Sequence, residues 1–163
     1  MNFARFNPMA FPLPPDQRVR SRHDRWVRAP IMGFQVLVVD DNSDNADSLA
    51  IFLGMSGFEA RVAYTGEAAV ASALAKPPDV VLCDINMPGL DGFGVAQQIR
   101  AAFPLPPAMI AITARREQEL LAPAGAAGFD HYFLKPADPV EIGGLLADLA
   151  FSRPTPNRRG PLT

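Results

Sequence analysis

Asp40 and Asp41 stand side by side at the end of the apolar run "VLVV", and Asp44 follows within "DDNSDN". Two like charges about 4 Å apart repel by roughly 4 kcal/mol at an effective dielectric near 20. A strand that ends this way needs something that offsets the repulsion. A third acid, Asp84, follows "VVLC", Thr113 closes "MIAI", and Lys135 follows "HYFL". Clustered carboxylates suit a hard cation, and Mg2+ prefers about six oxygens, several of them from water and substrate phosphate. No histidine or cysteine is expected among these side chains, which counts against zinc. With the cluster neutralised, a phosphoryl donor could approach Asp84, whose carboxylate would act as nucleophile and give an aspartyl phosphate. Lys135 would balance the added charge, and Pro136 would restrict its backbone to extended conformations.

Each of these residues also has a plainer use. Asp, Asn and Ser are the preferred helix N-caps, so "DDNSD" alone reads as a capping loop. Asp84 alone could cap the turn in "NMPGLDG", where Pro88, Gly89 and Gly92 are turn formers. Thr113 alone would be a strand-end hydroxyl bonded to backbone, and a lone lysine before proline a solvated surface residue. The joint placement of the set distinguishes the two readings.

That placement depends on the elements. The apolar runs "FQVLVV", "EARVAY", "DVVLC", "MIAIT" and "HYFL" alternate with segments of helical spacing, such as Ala46, Leu49, Ala50, Leu53 and Val95, Ile99, Ala102. Five strands and five helices in alternation predict an α/β fold: a doubly wound five-stranded parallel sheet with helices on both faces. In the flavodoxin-like order 2-1-3-4-5, strands one and three are neighbours. Ligands then bind beyond the carboxyl ends of the strands, where the order reverses, and that rim is where the acids, Thr113 and Lys135 would meet.

The 163 residues, 48% hydrophobic, suit one domain with a real core. Residues 34–151 hold six basic side chains against 15 acidic ones, so direct nucleic-acid binding is not expected of this part. Residues 1–32 read as a flexible basic and proline-rich extension, dispensable for the chemistry, with Trp26 as a possible anchor of a basic arm. Residues 33–151 read as the domain, and 152–163 as a disordered tail. The only cysteine, Cys83, excludes an internal disulfide and reads as a small buried hydrophobe. No run is long and apolar enough for a membrane span, and a cytoplasmic location is expected.

"VLVVDDN", "VVLCDINMPGLDG", "AITA" and "HYFLKP" occur in the order and spacing of the receiver domain of two-component response regulators, and residues 34 to about 150 resemble that family. The resemblance implies that Asp84 accepts phosphate from a sensor histidine kinase or a histidine phosphotransfer protein. It also implies that Asp41 and Asp84 ligate Mg2+ directly, Asp40 through water, and Asn86 through its backbone carbonyl. Thr113 and Lys135 would contact the phosphoryl group, and Tyr132 would be the aromatic switch. Two departures stand out: Pro123 falls in the fourth helical segment, where it removes a hydrogen bond, and Arg115 and Arg116 place positive charge beside the pocket mouth.

The chain is accordingly expected to be a single-domain response regulator. It would be no enzyme in its own right, and would signal by protein–protein interaction with a separate target or by passing its phosphoryl group onward. Two other classes compete. A haloacid-dehalogenase-type phosphohydrolase also uses an aspartate nucleophile and Mg2+, but its second acid stands two residues after the nucleophile, where this chain has Asn86. A receiver-like binding module that works without phosphate would be marked by loss of the acceptor or the lysine, and both are present.

Overall fold

The computed structural model describes residues 33–114 and 128–152. Both sides of "VLVV" meet apolar partners: Val36 and Val38 join one buried cluster, and Leu37 and Val39 join another on the opposite face. Burial on both faces is the pattern of a parallel sheet covered by helices on each side. The described elements run β1 (Gln35–Val39), α1 (Ser43–Met55), β2 (Glu59–Ala63), α2 (Gly66–Ala75), β3 (Val80–Asp84), α3 (Gly92–Ala102), β4 (Ala108–Thr113), β5 (His131–Leu134) and α4 (Pro139–Ser152). Every strand pairing is parallel, and the order is β2-β1-β3-β4-β5, as expected.

The first cluster packs Ala46 and Leu53 of α1 and Ile142 and Leu146 of α4 against Val80, Leu82 and Ile110 of the sheet. The second packs Ala69 and Ala73 of α2 and Val95 and Ile99 of α3 against Val81, Cys83 and Met109. Each fully buried Leu or Ile side chain contributes about 1.5–3 kcal/mol relative to exposure. Leu49 and Ala50 line the first cluster, as their spacing predicts. Ala102, by contrast, is exposed at the last position of α3, one turn past the buried Ile99. Among the described residues there are four helices; the expected fifth, with Pro123, lies outside them. So do Arg115, Arg116, Trp26 and most of both terminal segments.

Strand register sets the rim. Val39 pairs with Ala63 on one side and Cys83 on the other, Asp84 with Ile112, and Thr113 with Leu134. Asp40, Asp84, Thr113 and Lys135 therefore stand at the carboxyl ends of neighbouring strands.

Behind this rim, α3 starts against the backbone of β3. A Cβ added at Gly92 would lie 2.5 Å from the Asp84 carbonyl oxygen and 2.6 Å from the Ile85 Cα. Main chain cannot yield as a flexible side chain does, so Gly92→Ala is expected to cost about 2–3 kcal/mol, the upper part of the range for overpacking. Urea melts followed by circular dichroism check this; a midpoint equal to that of the wild type refutes the close approach.

Candidate phosphoryl-acceptor and metal site

Asn42, not an aspartate, caps α1: its side-chain oxygen accepts from the Asn45 N–H at 3.1 Å. Asp40 and Asp41 are thus released from the plain capping role, and Asp44 lies exposed in the first turn of α1. The Asp40 Oδ1 accepts from the Asn42 N–H at 2.9 Å, and its Oδ2 accepts from the Lys135 Nζ at 3.0 Å. Asp84 has the same arrangement: Oδ1 accepts from the Asn86 N–H at 3.0 Å and Oδ2 from the Lys135 Nζ at 3.0 Å. Asp84 is therefore both a turn-forming residue, through one oxygen, and a partner of the lysine, through the other.

Lys135 is not a solvated surface residue. Its N–H donates to the Thr113 carbonyl at 2.7 Å, and its ammonium bridges two carboxylates that are nearly out of solvent, with side chains 10% and 8% exposed. Burial by itself pulls the Lys135 ammonium down; hydrogen bonds to Asp40 and Asp84, together with their charges, outweigh it and hold its pKa above the ordinary lysine value. The bridge also corrects the expectation that the acids repel until a metal enters. Lys135 already offsets part of the repulsion between Asp40 and Asp84. The peptide bond between Lys135 and Pro136 is cis.

Asp40, Asp41 and Asp84 each offer an oxygen within 4.8 Å of the others. The donors in this trio are all hard carboxylate oxygens, a set that fits Mg2+ and not a soft metal. Asp41 is exposed and Asp40 and Asp84 are buried, so the group opens to solvent on one side. Asn86 is exposed at the start of the loop of residues 86–91, next to this opening. Thr113 is fully buried at the end of β4. Tyr132 is half-buried, packed on Ile85 and Ala111 together with Phe93 and Phe129. Cys83 is buried one residue before Asp84, where burial first and then the charge of Asp84 push its thiol up, leaving an inert hydrophobe beside the site.

One contact at the rim was not foreseen. Glu67, in the first turn of α2, accepts from the Leu90 N–H at 3.2 Å. In the sequence, a Glu just after "TG" reads only as an acid favoured near a helix N-terminus, and nothing marks its partner 23 residues away.

Residues 36–146 match the response regulator receiver domain family. The transcriptional regulatory protein PrrA of Mycobacterium tuberculosis is 41% identical over 102 residues, which cover 63% of this chain and 43% of PrrA. The chain thus spans less than half the length of that relative. Among solved structures, the receiver domain of the Francisella response regulator 1452 is similar with a TM-score of 0.67 and 26% identity, over 72% of this chain and 96% of that one. The chemotaxis protein CheY4 of Vibrio cholerae is similar with a TM-score of 0.64 and 25% identity, over 70% of this chain and 96% of that one. With a family match over most of its length and the strand order and rim described above, the chain belongs to the response regulator receiver domain family.

Proposed function

We propose that this chain is a phosphoacceptor that takes a phosphoryl group from a phosphohistidine onto Asp84. The carrying observation is the Lys135 ammonium 3.0 Å from both Asp40 Oδ2 and Asp84 Oδ2, with Asp41 alongside. An Asp84 carboxylate oxygen forms the new O–P bond as the N–P bond of the donor breaks, and the leaving imidazole nitrogen keeps the electron pair. Asp40, Asp41, Asp84 and the Asn86 carbonyl are the groups that would hold Mg2+, which when bound supplies positive charge to the phosphoryl oxygens. Lys135 would exchange a carboxylate partner for a phosphoryl oxygen, and Thr113, at the end of the neighbouring strand, would donate its hydroxyl to another. The donor is a sensor histidine kinase or a histidine phosphotransfer protein, and the output a protein contact or onward phosphoryl transfer in the cytoplasm. Among the described residues no helix is long and apolar enough to cross a membrane.

The test is a phosphotransfer profile: purified histidine kinases and phosphotransfer proteins, labelled on histidine, are mixed with the chain and Mg2+. Label is expected to pass within minutes from at least one donor. A chain that takes label from none of them refutes the reading.

Tyr132 is the element through which we propose the phosphate is read out. It shares a small cluster with Ile85, which follows Asp84, and with Ala111, two residues before Thr113. Drawing Thr113 toward a phosphoryl group would open room for the ring and bias a two-state surface. Beryllofluoride with Mg2+ is expected to change amide exchange at Thr113 and residues 131–135, and Tyr132→Ala to reduce that change. Identical exchange with and without beryllofluoride would mean that the phosphate is relayed and not read out through this face.

A further inference from the structure

The loop "NMPGLD", residues 86–91, carries the Asn86 carbonyl, and it is held from two sides. On the sheet side, the Ile85 carbonyl accepts from the Met87 N–H at 3.2 Å and the Gly92 N–H at 3.0 Å, and Asp84 Oδ1 accepts from the Asn86 N–H. On the other side the first turn of α2 lies against it. A Cβ at Gly66 would stand 2.2 Å from the Leu90 carbonyl oxygen, so backbone meets backbone there. One residue on, Glu67 Oε1 accepts from the Leu90 N–H at 3.2 Å and lies 3.2 Å from where a Cβ on Gly89 would stand. Gly89 has a φ of 76°, a conformation that the loop adopts at low cost only with glycine.

Glu67 is not needed to close the helix it sits on. Thr65 caps α2, its hydroxyl accepting from the Ala68 N–H at 3.1 Å. The exposed Glu67 carboxylate bonds instead to the loop. It accepts from the Leu90 N–H, one residue before Asp91 caps α3.

We propose that Glu67 is a positioning residue for the metal-holding loop: by fixing Leu90 it fixes the path of residues 86–91, and so sets the Mg2+ affinity of the pocket without touching the ion. This rests on the reading of Asp40, Asp41, Asp84 and Asn86 as the metal site. Removing an outer partner of a metal site typically costs 10–100-fold in affinity. Glu67 acts through several backbone bonds, so a loss near the lower end, about 10-fold, is expected.

The experiment titrates Mg2+ into the full chain by calorimetry, for the wild type, Glu67→Ala and Glu67→Gln, with a thermal melt of each in the absence of metal. Glu67→Ala is expected to raise the Mg2+ Kd about 10-fold with little change in the metal-free melt. Glu67→Gln keeps a carbonyl acceptor for Leu90 while removing the charge, and is expected to bind close to wild type. If Gln weakens binding as much as Ala, the effect is through-space charge and the positioning role is overturned. The role is also overturned if Ala binds like the wild type, or if Ala melts far below it without metal, which would make Glu67 a structural support. A wild type that binds no Mg2+ overturns the metal reading itself, and this role with it.

Discussion

Asp84→Asn is expected to abolish phosphoryl incorporation altogether. Incubated with acetyl phosphate and Mg2+, the wild type should gain one phosphoryl group by intact mass, and the variant none. The substitution is nearly isosteric, and the amide oxygen can still accept from the Asn86 N–H that Asp84 Oδ1 now holds. Lys135 keeps Asp40 as its partner at 3.0 Å. The fold and the pocket therefore survive, while the nucleophile becomes an amide that forms no acyl phosphate. Asp40 and Asp41 remain as carboxylates a few ångströms away, so the variant also asks whether either can substitute. Undiminished labelling, or label on Asp40 or Asp41, would remove Asp84 from its proposed role.

Lys135→Met is expected to destabilise the metal-free protein by about 2–3 kcal/mol. Breaking a buried ion pair by removing one partner costs roughly 3–5 kcal/mol, and the value is reduced here because the Lys135 side chain keeps 27% of its surface in solvent. What is left behind is two carboxylates, Asp40 and Asp84, nearly buried and without their shared counter-charge. Added Mg2+ should stabilise this variant more than the wild type, since the cation and the ammonium compete for the same oxygens. At about 100 times its Kd, a ligand adds roughly 2.7 kcal/mol. The sign of the pH dependence follows from the raised pKa of Lys135. Its contribution is fully present below the unfolded-state value of about 10.4 and is lost as pH rises through the higher folded-state value. The gap in Tm between wild type and variant should stay constant from neutral pH to about 9 and close only above about 10.5. A gap that closes near neutrality, or a variant as stable as the wild type without Mg2+, would show that the bridge does not form.

The sheet was legible because its code is local. Each strand is a short apolar run, each crossover carries helical spacing, and the alternation leaves few topologies open. The strand-end residues were legible for the same reason: once five parallel strands are assumed, Asp40, Asp84, Thr113 and Lys135 fall on one edge. What Asp40 does there was not legible from "DDNSD" alone, which reads as a capping loop, and only the structure shows Asn42 as the cap. The bridge from Lys135 to two acids depends on side-chain reach from the end of β5 past β4 to the ends of β3 and β1, which spacing along the chain does not encode. Ala102 was misread at a helix end, where periodicity has no next turn to constrain it. Glu67 lay hidden because its partner is a backbone N–H, a group that every non-proline residue offers.

The Lys135 bridge joins residues 95 and 51 positions apart in the chain, the ends of the last strand to those of the first and third. Contacts of such long range form only after the intervening chain has been gathered in, and each doubling of the enclosed loop adds about 0.6 kcal/mol of closure entropy. Non-local pairings of this kind are the slow ones to make in a parallel sheet. The pocket of Asp40, Asp84 and Lys135 is complete only when β5 is docked on β4. A chain that stalls with its first strands paired has Asp40 and Asp84 side by side and no ammonium between them. On the proposed roles of Asp84 and Lys135, competence to take up phosphate would require the completed sheet, and the signal would be confined to fully folded molecules.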